Sequence, residues 1–210
     1  MGLFIAIAGI FDSKESDVIN ALSGYAKAKN GVFKAESLPQ DDEDASVICS
    51  ANGHTSLMFP PSSLDWWDAS QALSLLLKKV VIALHIHDGD LWMYELYKNG
   101  TKADSFNPIP DYWIEEISDE ERTEWRGDAE AVAACIPNVK ATDIEKYFVA
   151  WNLEADDERK AYPTDEYSYG TDWQMLDFMK KIGLSYPLDE KGKPLGPTYR
   201  FVIPPPPKNK

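Results

Sequence analysis

The stretch "VVIALHIHDGDLWMYELYKNGTKADSF", residues 80–106, constrains the fold more than any other part of the chain. Three strand-length runs rich in β-branched and aromatic residues are separated by Asp88-Gly89 and Asn99-Gly100. These dipeptides most readily supply the two left-handed residues of a tight hairpin turn. Connections this short join only antiparallel neighbours, so the stretch predicts a three-stranded meander. A meander exposes an apolar face, and the remaining chain has to cover it.

The upstream residues supply both sheet and cover. "GLFIAIAGIF" reads as a buried first strand. Asp12 and Glu15 have the spacing of a capping box, and Val18, Leu22, Tyr25 and Ala26 recur at helical intervals until "KNG" at 29–31 provides a stop. "VFKAE" (32–36) reads as a second strand, followed by a solvated acidic loop, "QDDEDA". "SVICSA" and "TSLMF" flank Asn52 and Gly53 as a hairpin, with His54 lengthening the turn. After Pro60 and Pro61 a helix is expected from about Leu64 to Lys79. Trp66, Ser70, Leu73 and Leu77 form its inner stripe, with Trp67 and Leu76 beside it. Residues 1–110 thus predict an α+β sandwich, an antiparallel or mixed sheet with two helices on one face.

From residue 111 the composition shifts to charged, tryptophan-bearing helix. Ser118 and Glu121, Thr142 and Glu145, and Thr171 and Gln174 each have capping-box spacing. Residues 111–197 therefore predict a mainly helical C-terminal segment packed on the sandwich, and residues 198–210 a short strand, "TYRFVI", and a polyproline tail. Within the segment, "AYPTDEYSYGTDW" (161–173) reads as a loop that its aromatics staple to the core.

Charge narrows the partners. With 35 acidic against 21 basic residues, the chain carries a formal charge of -14, which repels nucleic-acid phosphates and anionic membrane surfaces and favours a basic protein partner. Two cysteines, Cys49 and Cys135, give no disulfide framework, and "MGLFIAIAGIF" fits neither a signal peptide nor a membrane span, so a cytoplasmic location is expected.

No Gly-rich phosphate loop, GxSxG elbow, CxxC or HExxH occurs, so no catalytic residue is assigned. The chemistry that remains lies in "HIHDGD". A two-residue turn at Asp88-Gly89 pairs His87 with Asp90, His85 with Trp92 and Ala83 with Tyr94. Strand alternation then gathers His85, His87, Asp90, Trp92 and Tyr94 on one face. Ile82, Leu84, Ile86, Leu91 and Met93 form the other face, which, being aliphatic, should meet the helices. The aromatic-polar face has the composition of an interaction surface, and its five residues are the candidate binding residues.

Two imidazoles at i and i+2 with the Asp90 carboxylate also match the ligand type of catalytic zinc or non-haem iron. The alternative reading is accordingly a metal-dependent hydrolase, with a divalent metal as the one candidate cofactor. Cupin-like sites follow His-x-His with a glutamate where this chain has Leu91 and Trp92, and the nearest acid, Glu95, falls on the opposite face in this register. A two-residue turn at Asn99-Gly100 sets Glu95 against Asp104, with Lys102 diagonally placed to relieve the repulsion.

The segment "LWMYELYKNGTKADSFNPIPDYW", 23 residues of the 210, resembles a family of uncharacterised bacterial proteins in which an aromatic strand and an Asn-Gly turn lead to Asp-x-Phe-Asn and Pro-Asp-Tyr. The resemblance implies no activity and no site residues. In size and charge the chain is similar to immunity and adaptor proteins of bacterial toxin systems, which implies a non-catalytic, acidic binding or inhibitor protein.

Overall fold

A computed structural model of the protein describes residues 2–37, 42–113, 116–152 and 158–205. Its centre is an eight-stranded sheet in which every pairing is antiparallel. The strands are β1 (Ile5–Ile10), β2 (Val32–Ala35), β3 (Ala45–Ala51), β4 (His54–Met58), β5 (Val80–His87), β6 (Leu91–Lys98), β7 (Thr101–Phe106) and β8 (Thr198–Val202). Their spatial order is β2-β8-β3-β4-β1-β5-β6-β7, so the last strand inserts between two early ones. Arg200 of β8 is held at that seam by Glu36, Asp42 and Asp44. Residues 40 and 41 of the acidic loop and the polyproline tail from 206 lie outside the described residues.

Helices α1 (Glu15–Ala28) and α2 (Trp66–Leu77) share one buried cluster with Ala8, Ile10, Val81, Ala83 and Tyr97. The opposite side chains of the same strands, Ile7, Ile82, Leu84, Ile86, Trp92, Tyr94 and Leu96, share a second cluster with Val132, Ile144, Tyr147, Met175 and Phe178. Both faces of the central strands are therefore covered, and β5 and β6 are buried almost throughout. α1 stops where Asn30 turns left-handed at φ +57° and the Gly31 N–H reaches back to the Ala26 carbonyl at 2.7 Å. A Cβ at Gly31 would lie 2.4 Å from the Val202 carbonyl oxygen, so glycine is required beside β8.

The β5–β6 register differs from the expected one. Asp88 and Gly89 are left-handed and the Asp90 N–H closes the turn on the His87 carbonyl at 3.0 Å, but ladder pairing resumes only at Leu91. Asp90 is an extra residue, so His87 pairs with Leu91, His85 with Met93 and Leu84 with Tyr94. A slip of one residue moves every side chain of the return strand to the other face. Trp92 and Tyr94 thus lie opposite to His85 and His87. It is the histidine face that meets α1 and α2, whereas Ile82, Leu84 and Ile86 meet the C-terminal segment. Glu95 changes sides too, joining the histidine face.

An irregularity between Leu96 and Tyr97 produces a second shift. Glu95 pairs with Ser105 and Asp104 with Leu96, so the two acids do not oppose one another. Glu95 accepts the Tyr97 hydroxyl and lies 3.6 Å from Lys102. Asp104 accepts the Tyr94 hydroxyl at 2.5 Å and the Asp128 N–H at 3.2 Å, and burial raises its pKa. Because the Lys102 ammonium is half in water, Lys102→Ala is expected to cost no more than about 1 kcal/mol, checked by urea denaturation.

Among its described residues the C-terminal segment has less helix than its spacings suggest. It contains α3 (Asp119–Glu124), α4 (Ala129–Cys135), two three-residue 3₁₀ turns and α5 (Gln174–Lys181). Of the four capping boxes read from the sequence only Ser118–Glu121 forms; Lys14 and Trp173 precede α1 and α5 without a side-chain cap. Buried carboxylates organise the chain between these helices instead. Asp165 accepts the Tyr162 N–H at 3.0 Å and the Tyr147 hydroxyl at 2.9 Å, and Asp177 accepts the N–H groups of Glu166 and Tyr167, each at 2.8 Å.

Candidate functional site: an aromatic cleft over a histidine pair

β5 delivers His85 and His87 to the end of the sheet beyond α2, where neighbouring elements leave an open cleft of about 850 Å³. The first turn of α2 contributes Trp66 and Trp67, the chain before β1 contributes Leu3 and Phe4, and Trp113 arrives from beyond β7. Trp66 stacks on His85 with ring centroids 4.5 Å apart and contacts Trp67 at 3.7 Å, while Phe4 and Trp113 meet His87 edge-on at 4.9 and 4.8 Å. The segment before β1 is pinned to the hairpin by the Gly89 N–H on the Leu3 carbonyl at 2.9 Å.

The hydrogen bonds of the pair admit one arrangement of protons. Trp113 donates its indole N–H to His87 Nε2 at 3.2 Å, so that nitrogen is an acceptor and the His87 proton is on Nδ1. His87 Nδ1 then donates to His85 Nε2 at 3.2 Å, which leaves the His85 proton on Nδ1, donated to the Ile5 carbonyl at 2.8 Å. Both rings are neutral in this chain. Burial lowers the pKa of both, that of His85 to about 4. Neither imidazole keeps a free lone pair to take a proton from a substrate or to bind a metal.

Comparison of the chain with protein-family models, with curated proteins and with solved structures finds no match. Function has to be read from the site itself.

The structure brings together only part of the set expected from sequence. His85 and His87 form the floor of the cleft. Asp90 is at the hairpin tip, where its carboxylate accepts the Tyr112 hydroxyl at 2.5 Å. Trp92 and Tyr94 are fully buried on the far face, against Phe106 and Phe178. Among the described residues, no group of three or more His, Cys, Asp or Glu side chains is arranged to hold a metal ion.

Several cleft residues were not singled out from the sequence. Leu64 is 95% exposed, Trp113 49% and Phe4 48%, and all three border the cleft. Ser63, also in its lining, has a buried hydroxyl oxygen with no hydrogen-bond partner. The legible signal was the adjacent pair Trp66-Trp67 at the start of a helix, separated by four residues from a double proline. Adjacent helical residues point about 100° apart, so both indoles cannot lie in one inward stripe.

Proposed function

We propose that the protein is a non-catalytic binding protein that recognises a basic protein partner through this cleft. The observation that carries the reading is the concentration of exposed large apolar side chains, Phe4, Leu64 and Trp113, around one aromatic-walled hollow. Contiguous apolar surface of this kind marks an interaction site, and aromatic anchors dominate binding energy at such sites. The engaged nitrogens of His85 and His87 support binding over metal-dependent hydrolysis, because ligation would have to break the bond from Trp113 or the bond between the rings. Glu95, the acid that hydrolysis would need, is committed to Tyr97 and Lys102. The charge of -14 favours a basic partner and speeds its encounter. An inhibitor or adaptor of the kind found in bacterial toxin systems fits this description, and cytoplasmic action is part of the proposal.

Site-specific photo-crosslinking in the source cells tests the reading. A benzoylphenylalanine at Leu64 is expected to trap one discrete partner, and the yield is expected to fall at least about fivefold with Trp113→Ala. The same group at Leu195, exposed but outside the cleft, is expected to trap none. Equal trapping from both positions, or indifference to Trp113→Ala, would contradict the proposal.

A further inference from the structure

Resting on that reading, we propose that the group inserted into the cleft is an uncharged aromatic ring, the side chain of a tryptophan or a like residue in a partner segment whose flanks are basic. The walls are flat and aromatic, formed by Trp66, Trp67 and Phe4, with the His85 and His87 rings as the floor. Offset stacking and edge-to-face contacts favour a ring over an aliphatic chain of equal area.

Charge is excluded from the interior and placed at the rim. Among the described residues no Asp, Glu, Lys or Arg lines the cleft, and the histidine relay places no cation there. A cation entering would gain cation–π attraction but lose its hydration with no carboxylate inside to replace it. An anion would be repelled by the whole chain. Outside the opening, exposed carboxylates sit at the tip of the β5–β6 hairpin: Asp88 against Gly2, and Asp90 bound to Tyr112. The surface is thus complementary to a neutral ring carried between lysines or arginines. One polar contact is left open inside, the Ser63 hydroxyl, which is buried without a partner and can accept an indole N–H.

The test is NMR of protein carrying ¹⁵N-labelled tryptophan, titrated with four probes of similar size: N-acetyl-tryptophanamide, its cationic relative tryptamine, its anionic relative indole-3-acetate, and the aliphatic N-acetyl-leucinamide. N-acetyl-tryptophanamide is expected to shift the indole N–H signals of Trp66, Trp67 and Trp113 and to bind at least about tenfold tighter than the other three. Ser63→Ala is expected to weaken it about fivefold, one hydrogen bond's worth. A lysine-flanked tryptophan peptide is expected to bind tighter still and to lose that gain in high salt.

A preference for tryptamine, indole-3-acetate or the leucine amide at these signals would overturn the aromatic anchor while leaving the cleft a binding surface. A peptide no tighter than the free amide would overturn the basic-flanked segment in favour of a free aromatic molecule. If no probe moves the three signals the inference fails, and crosslinking from Leu64 then decides separately whether the cleft reading fails with it.

Discussion

Replacing Trp92 with alanine is expected to destabilise the protein by about 3–5 kcal/mol, the cost of removing a large aromatic from a packed core. The Trp92 side chain has no solvent exposure, its ring lies 5.1 Å from both Phe106 and Phe178, and its indole N–H donates to Gln174 Oε1 at 3.3 Å. The variant loses the apolar burial and also strands a buried carboxamide that already has one unpartnered nitrogen. The alternative register, with Trp92 beside the histidines on an interaction face, leads to the opposite expectation: weaker partner capture with stability almost unchanged. Urea denaturation separates the two. A loss under about 1 kcal/mol would show that Asp90 is not the extra residue of the hairpin and that the two faces are assigned the wrong way round.

Acid is expected to destabilise the fold through His85. In the folded chain its pKa falls from the ordinary 6.5 to about 4, because burial disfavours the charged ring. The unfolded chain takes up this proton as the pH drops through 6.5, and the folded chain resists until about 4. Stability from this group is therefore complete above pH 6.5 and is lost progressively down to about 4, amounting to at most about 3 kcal/mol. His87, lowered in the same direction, adds to the loss. Asp104 and Asp172, whose pKa values burial raises, act with the opposite sign, since protonating them favours the folded state. The difference between the wild type and His85→Gln cancels these carboxylates. That difference is expected to shrink as the pH falls from 7 to 4.5, and a constant difference would mean that His85 is charged or exposed in the folded protein.

Local turn and strand chemistry made much of the sheet legible. Asn99-Gly100 forms the expected two-residue turn, with Lys98 paired to Thr101. Asn52-Gly53 does so as well, pairing Ala51 with His54, so His54 begins β4 and does not lengthen the turn. What sequence could not supply was the count at two irregularities. Asp90 and the break after Leu96 each shift the pairing by one residue, and dipeptide signals mark where a turn is without fixing how many residues it consumes. Since both faces of β5 and β6 are buried, hydrophobic alternation gave no means of detecting the slip.

The site was half legible for a different reason. "HIHDGD" did lead to the cleft through His85 and His87, but the walls come from residues distant in sequence: Phe4 before β1, Trp66 at the start of α2 and Trp113 beyond β7. The acidic surplus was also visible without its structural use. With fewer cations than acids, buried and half-buried carboxylates also take tyrosine hydroxyls, as in Tyr25–Asp65, Tyr94–Asp104, Tyr97–Glu95 and Tyr147–Asp165. In three of these pairs the partners stand 40, 10 and 18 residues apart, which gives no pattern that local reading can detect.

The most direct test of the proposal that the histidine pair serves binding and not metal chemistry is long-range ¹H–¹⁵N NMR of the imidazoles at pH 7, before and after one equivalent of zinc. Both His85 and His87 are expected to be neutral with the proton on Nδ1, and to remain so when zinc is added. Zinc-bound Nε2 signals at both rings would contradict the account and return "HIHDGD" to the hydrolase reading.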